Sequence, residues 1–215
     1  MKYKVPLIVT SIGDPSKIVE AAHSYGGCVF HDVINVRHAM KAAQAGVDGL
    51  ILVAAGAGGH AGTTNPFALV PEVRQVFDKT ILLSGCISDG RGVRAAKVLG
   101  ADLAYLGTRF IAVKESMASD KYKQMVVEAK SADIVYTPAF SGIPASMLAP
   151  SIVAAGLDPR NLPVKTEINL GEELNTEHKA WKDIWSAGQG VATIHDVPSV
   201  ADLVARMKTE YDAAA

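Results

Sequence analysis

Four apolar runs recur in the first half of the chain, starting near residues 28, 48, 80 and 102, and each closes on glycine or polar turn residues before a helical stretch. A fifth candidate, residues 5–12, precedes them. The runs 28–33, 48–54, 80–83 and 102–106 are apolar on nearly consecutive positions instead of alternating. Strands of that kind are buried on both faces, and strands that alternate with helices pair in parallel. The expectation is therefore an α/β protein with a parallel sheet. Both a barrel and an open sheet satisfy this order.

The helices between the runs carry their own signals. Asp14 and Pro15 open the first, which is expected to reach about Tyr25 and stop at Gly26-Gly27. Asn35 caps a helix over 36–45, with Met40 and Ala43 expected on the face set by Val36 and Ala39. Helices are also expected over 67–77 and 92–99. Beyond Phe110 the rhythm breaks. The pattern predicts an amphipathic helix over 121–129, a short strand over 133–136 and an irregular stretch over 138–144. It also predicts helices over 146–155, 180–186 and 200–211, with a surface excursion over 158–179.

Composition narrows the function. With 21 basic and 22 acidic residues and a net charge of -1, the chain lacks the basic excess that nucleic acid or an anionic membrane surface attracts. Cys28 and Cys86 are the two cysteines, too few for a disulfide framework, and they point to a reducing compartment. The start Met1-Lys2-Tyr3-Lys4 leads into the first strand without the body of a signal peptide, and the run 47–59 is too short to span a bilayer. A cytoplasmic location is expected.

Three glycine clusters stand at successive strand ends: Gly56-Ala57-Gly58-Gly59-His60-Ala61-Gly62, Ser84-Gly85-Cys86-Ile87-Ser88-Asp89-Gly90 and Leu106-Gly107-Thr108. Ligands of parallel α/β proteins bind beyond those ends, and backbone amides hold phosphate where side chains are short. There is no Gly-x-x-x-x-Gly-Lys-Ser/Thr loop, and no dinucleotide fingerprint follows the first strand. His60, in the enlarged loop between 54 and 67, is the candidate proton acceptor, because imidazole titrates near neutrality. His31 and Asp32 lie at the mouth of the second strand, whereas His38 reads as a solvated helix residue. The histidines lack the spacing of a zinc site, and no Gly-x-Ser-x-Gly elbow marks a hydrolase.

The combination Gly58-Gly59-His60-Ala61-Gly62, Ser88-Asp89-Gly90-Arg91-Gly92, Leu99-Gly100-Ala101-Asp102 and Leu106-Gly107-Thr108-Arg109-Phe110 resembles the nitronate monooxygenase family, formerly called 2-nitropropane dioxygenase. Ile184-Trp185-Ser186-Ala187-Gly188-Gln189-Gly190 resembles its carboxyl-terminal signature, and the likeness extends over nearly the whole chain. It implies a TIM (β/α)8 barrel that binds FMN and carries a late helical insertion. On this reading residues 1–110 are the partial barrel, 111–179 the insertion, and 180–215 helices that pack back. Gly85, Cys86, Gly107 and Thr108 would hold the flavin phosphate. Gly58 would lie near the flavin, with main-chain contacts from Tyr105 and Leu106, and no metal is implied.

By the same resemblance His60 deprotonates a nitroalkane or orients a nitronate, which dioxygen oxidises to a carbonyl product and nitrite. Two positions depart from the family pattern. Asp32 stands where some members carry a lysine near the flavin, and Cys86 replaces the second glycine of a pair. A flavin-dependent enoyl reductase using NAD(P)H and a non-catalytic flavin-binding protein are the alternatives. The five strands would be strands four to eight of the barrel, so the barrel is expected to be incomplete, with a homo-oligomer or another partner supplying the missing strands.

Overall fold

A computed structural model describes residues 2–163 and 183–214. In chain order the elements are β1 (Leu7–Thr10), α1 (Ser16–His23), β2 (Cys28–Val33), α2 (Val36–Gln44), β3 (Gly49–Val53), β4 (Gly59–His60), α3 (Pro66–Arg74) and β5 (Thr80–Ser84). There follow α4 (Gly90–Leu99), β6 (Leu103–Tyr105), α5 (Thr108–Ile111), α6 (Asp120–Glu128), β7 (Ile134–Thr137), β8 (Ala145–Leu148), α7 (Ala149–Ala154) and α8 (Val200–Ala213). The chain divides into two compact units. The first comprises Met1–Ala55, Gly62–Ser84 and Val93–Tyr105, and the second Gly56–Ala61, Gly85–Gly92 and Leu106–Ala215. No helix among the described residues is long and apolar enough to cross a membrane.

The first unit is an α/β layer on a five-stranded, all-parallel sheet in the order β1-β2-β3-β5-β6. All five residues of central β3 are buried, as the unbroken apolar run requires. The edge strands differ: Leu7 and Val9 on β1 and Leu103 and Tyr105 on β6 are exposed. Caps fix where the helices start. Asn35 accepts from His38 at α2 and Asn65 from Phe67 just ahead of Pro66 at α3. Pro15, expected as the first helical residue, is itself the N-cap of α1, with the Asp14 carboxylate accepting the Ser16 N–H beside it. Met40 is a correction, being 47% exposed while Ala39 and Ala42 form the buried face of α2. The two alanines suit a helix lying close on its sheet, and the longer methionine turns outward.

A device at the foot of the strands occurs twice. Asp48 takes the N–H of Val29 on one carboxylate oxygen while its own N–H bonds Val29 O; Asp102 does the same with Ile81. A basic side chain completes each latch, His23 on Asp48 and Arg74 on Asp102, both at 2.8 Å. The Ile81 N–H, the largest influence, joins the hydrogen bond and charge of Arg74 in holding the Asp102 carboxyl below its ordinary 3.8, against burial, which acts the other way. A group depressed in the folded state contributes stability above 3.8 and loses it as pH falls through the folded value. Asp102→Ala should therefore cost about 1 kcal/mol at neutral pH, a modest figure for a carboxylate open to solvent. The gap to the parent should close on acidification below 3.8, as urea unfolding at both pH values would read.

The second unit holds a three-stranded antiparallel sheet, β4-β8-β7. Two apolar clusters support it. Ala112, Val126, Leu148, Val191 and Ile194 form one, and Ala145, Met147, Ile152 and Ile184 the other. The helix expected over 146–155 is instead β8 followed by α7. All four β8 residues pair with β7, and Ala145 and Ser146 pair with β4 as well, so tertiary pairing overrides the helical preference of Ala, Met and Leu. Pro150 marks the true helix start. Of the helix expected over 180–186, residues 180–182 lie outside the described residues. The remainder is extended, with Ser186 bridged to Met147 and Leu148 N–H donating to Trp185 O. Most of the surface excursion, 164–179, also lies outside them.

Candidate functional site

The loops that follow β3, β5 and β6 belong to one unit together with the segment around residues 184–191. Glycine lets their backbones meet. A Cβ on Gly58 would lie 2.8 Å from Gly188 N, and one on Gly188 would lie 2.5 Å from Gly56 O. Gln189 N–H donates to Gly56 O, and Gly188 N–H donates to the Thr108 hydroxyl at 2.9 Å. Of the residues expected at the cofactor, the structure thus brings Gly58 and Thr108 onto the Gly188 backbone, and places the Cys86 sulfur 3.9 Å from Gln189 Oε1. Cys86 has φ of +57°, a conformation that glycine adopts freely, and Gly85 before it has φ of +127°. Burial pushes the Cys86 thiol pKa up.

Gly107 is different in kind. Nothing lies within 4 Å of where its Cβ would be, so its backbone faces open space. Leu106 beside it is partly buried, while Tyr105, the last residue of β6, is exposed and belongs to the first unit. The buried Ser88 hydroxyl has no hydrogen-bond partner among the described residues. The start of α4, by contrast, is filled: Asp89 accepts the Gly92 N–H and Glu210 accepts the Gly90 N–H. A Cβ on Gly90 would collide with Met207 O, so α8 seats directly on this turn. Two carboxylates already answer the amide charge there.

His60 lies on β4, not in an irregular loop. It is opposite Ala145 of β8, and Tyr136 Oη donates to the next carbonyl, Ala61 O, at 2.7 Å. Its Nε2 lies 2.8 Å from Oγ of Ser141, a side chain 1% exposed. A half-buried imidazole fixed at its backbone and at one ring nitrogen can take up or release a proton at a defined place. His31 and Asp32 belong to the first unit, where His31 Nδ1 meets Thr10 Oγ1 at 2.8 Å. Burial lowers the pKa of His31 and raises that of Asp32, whose Oδ1 has no hydrogen-bond partner among the described residues.

Two constellations escaped the sequence reading. Arg109, 1% exposed, donates to the carbonyls of Ala112 and Asp196 and to the Asp196 carboxylate, which Arg206 also grips. Tyr122 stacks on Trp185 with centroids 4.7 Å apart and donates its hydroxyl to Ser186 O. Burial raises its pKa to about 12. A basic residue inside an apolar stretch, Arg109-Phe110-Ile111, was the one available signal for the first.

The family model described as nitronate monooxygenase matches residues 1–210. The nitronate monooxygenase of Paraburkholderia phytofirmans is 30% identical over 228 residues, covering 98% of this chain and 62% of that protein. The probable nitronate monooxygenase of Staphylococcus haemolyticus is 30% identical over 233 residues, covering 97% and 64%. The chain spans under two thirds of the length of these curated relatives. Among solved structures, FabK from Thermotoga maritima matches with a TM-score of 0.80 at 25% identity, covering 99% of this chain and 70% of that one. The nitroalkane oxidase of Streptomyces ansochromogenes gives 0.79 at 23% identity, covering 98% and 65%, a likeness of fold.

Proposed function

The chain belongs to the nitronate monooxygenase family, and from this we propose that it holds FMN and serves the oxidation of nitronates or nitroalkanes by dioxygen to a carbonyl product and nitrite. The observation that carries the reading is His60, anchored on Ser141 within the unit that also gathers the three glycine loops. The residues present suit a phosphate-bearing cofactor: the space at Gly107 is one that a Cβ would fill, and Ser88 offers an unused buried hydroxyl. Gly85, Cys86, Leu106, Gly107 and Thr108 would hold it, with Tyr105 contributing main chain and Gly58 nearby. When bound, the flavin supplies the electron-accepting chemistry that no side chain provides.

The chain's own residues do the rest. His60 removes the proton on the carbon bearing the nitro group, leaving the electron pair delocalised onto the nitro oxygens, and holds that proton as imidazolium. With a nitronate already formed, the same side chain only orients the substrate. The five parallel strands are read as strands four to eight of a (β/α)8 barrel, in which phosphate is commonly held after the last two. Residues 111–179 are the insertion of that reading, and a longer parent chain or a second copy would complete the barrel.

His60→Asn is the test. General-base removal should lower turnover of a neutral nitroalkane by about 100-fold or more, leave the preformed nitronate form little affected, and leave bound flavin unchanged. Equal losses on both forms would overturn the proton-transfer role. NADPH oxidation by an enoyl thioester, with no turnover of nitronate, would replace the reaction itself.

A further inference from the structure

We propose that Asp32 is a specificity residue: it accepts a hydrogen bond from an ammonium group on the ligand, and so favours nitroalkanes that carry a positive charge over those that carry a carboxylate. The choice of nitroalkanes rests on the function proposed above. Strand β2 alternates: Val29, His31 and Val33 are buried on one face, while Cys28, Phe30 and Asp32 lie on the more open one. That face continues onto the neighbouring strands. Val9 stands beside Phe30 in the register on one side and Gly49 on the other. The Phe30 ring lies over Gly49, where a Cβ would be 2.7 Å from it. Asp32 is the next residue of the same face toward the carboxyl end of the strand, the end at which parallel sheets take their ligands.

The carboxylate lacks a donor that the described residues do not supply. Its Oδ1 is buried and has no hydrogen-bond partner among them. Two influences act on the group: burial, which raises its pKa, and then the Ser11 hydroxyl, which lowers it. No basic side chain is among those influences. A buried acceptor left unpaired lowers the stability of the free protein, and a ligand that brings a donor removes the penalty. An ammonium does so best, because hydrogen bonds between ionised groups are shorter and stronger than neutral ones. A ligand carboxylate meets like-charge repulsion at the same oxygen. Ser11 leads directly into Ile12, which is 56% exposed and has φ of +58°, a strained conformation for a β-branched residue. An exposed aliphatic side chain next to the hydroxyl that touches Asp32 suits the alkyl part of such a ligand.

Two nitroalkanes of matched length read the preference: 3-nitropropan-1-amine, an ammonium at neutral pH, and 3-nitropropanoate. In Asp32→Asn, which keeps the shape and removes the charge, the ratio of kcat/KM for the amine to that for the anion should fall. A drop of about 10- to 100-fold is expected, the range for a hydrogen bond to a charged group. Binding is read apart from turnover, by carbon NMR of protein labelled at aspartate, with the Asp32 signal identified by its loss in Asp32→Asn. The carboxyl should titrate above 3.8 in the free protein and lower in excess amine, since a bound cation favours the ionised form. A carboxyl raised by the fold contributes stability below 3.8 and loses it as pH rises through the folded value. Asp32→Asn should therefore be no less stable than the parent in urea at neutral pH. A titration that the amine leaves unmoved, or a variant markedly destabilised at neutral pH, would overturn the proposal. An unchanged amine-to-anion ratio would overturn the specificity role. If the parent oxidised neither compound, the functional reading would fail while the titration still decided whether Asp32 takes the cation.

Discussion

Replacing Gly107 with leucine should leave the protein folded and strip it of flavin. The position asks nothing of glycine conformationally: φ of -105° is open to any residue, and a Cβ there meets no atom within 4 Å. Stability should change by no more than about 0.5 kcal/mol, as for other exposed substitutions without strain. The leucine side chain nevertheless takes the space through which a phosphate would approach the backbone. An affinity loss of about 100-fold or more, equivalent to about 2.7 kcal/mol, is expected. Flavin absorbance per mole of purified protein, read beside the urea midpoint, separates the two effects. A variant that stays yellow would place the phosphate elsewhere. Gly188→Ala is the useful contrast, since there a Cβ would press on the backbone at Gly56 and Gly58 and damage the fold first.

Arg109→Ala should be among the most destabilising single changes in the second unit, costing about 3 kcal/mol. The guanidinium is buried, pairs with Asp196 at 3.0 Å, and also serves two carbonyls that would lose their donor. Asp196 would keep Arg206, which limits the penalty to the arginine's own cavity and the abandoned carbonyls. Lysine should not rescue the variant, because one ammonium cannot reproduce a planar fork that reaches a carboxylate and two carbonyls. The readout is the denaturant midpoint. A shift of less than about 0.5 kcal/mol would show that the α5 turn does not depend on this anchor.

The sheet was legible because each strand carried its message locally. Cys28–Val33 was read to its ends, and Asn35 placed the start of α2. The candidate site was legible as composition, three glycine clusters and one histidine, but not as geometry. Glycine at 58 and glycine at 107 look alike in sequence, yet one is closed by another backbone and the other faces open space. The strand at 145–148 and the extended run around Trp185 were missed because both take their conformation from distant partners. Arg109 and Tyr122 were overlooked for the same reason: their meaning lies in Asp196 and Trp185, which the fold supplies.

The long separations within the site also set the order in which it can come into being. Cys86 meets Gln189 across 103 residues and Thr108 meets Gly188 across 80. During synthesis the five parallel strands emerge complete long before the segment that closes the glycine loops. Closure has to wait until the chain through Gln189 has left the ribosome, since contacts of such span form only when both ends are present. A chain stopped short of Gly188 carries every strand of its parallel sheet and none of the backbone packing that Gly188 makes at Gly56 and Gly58.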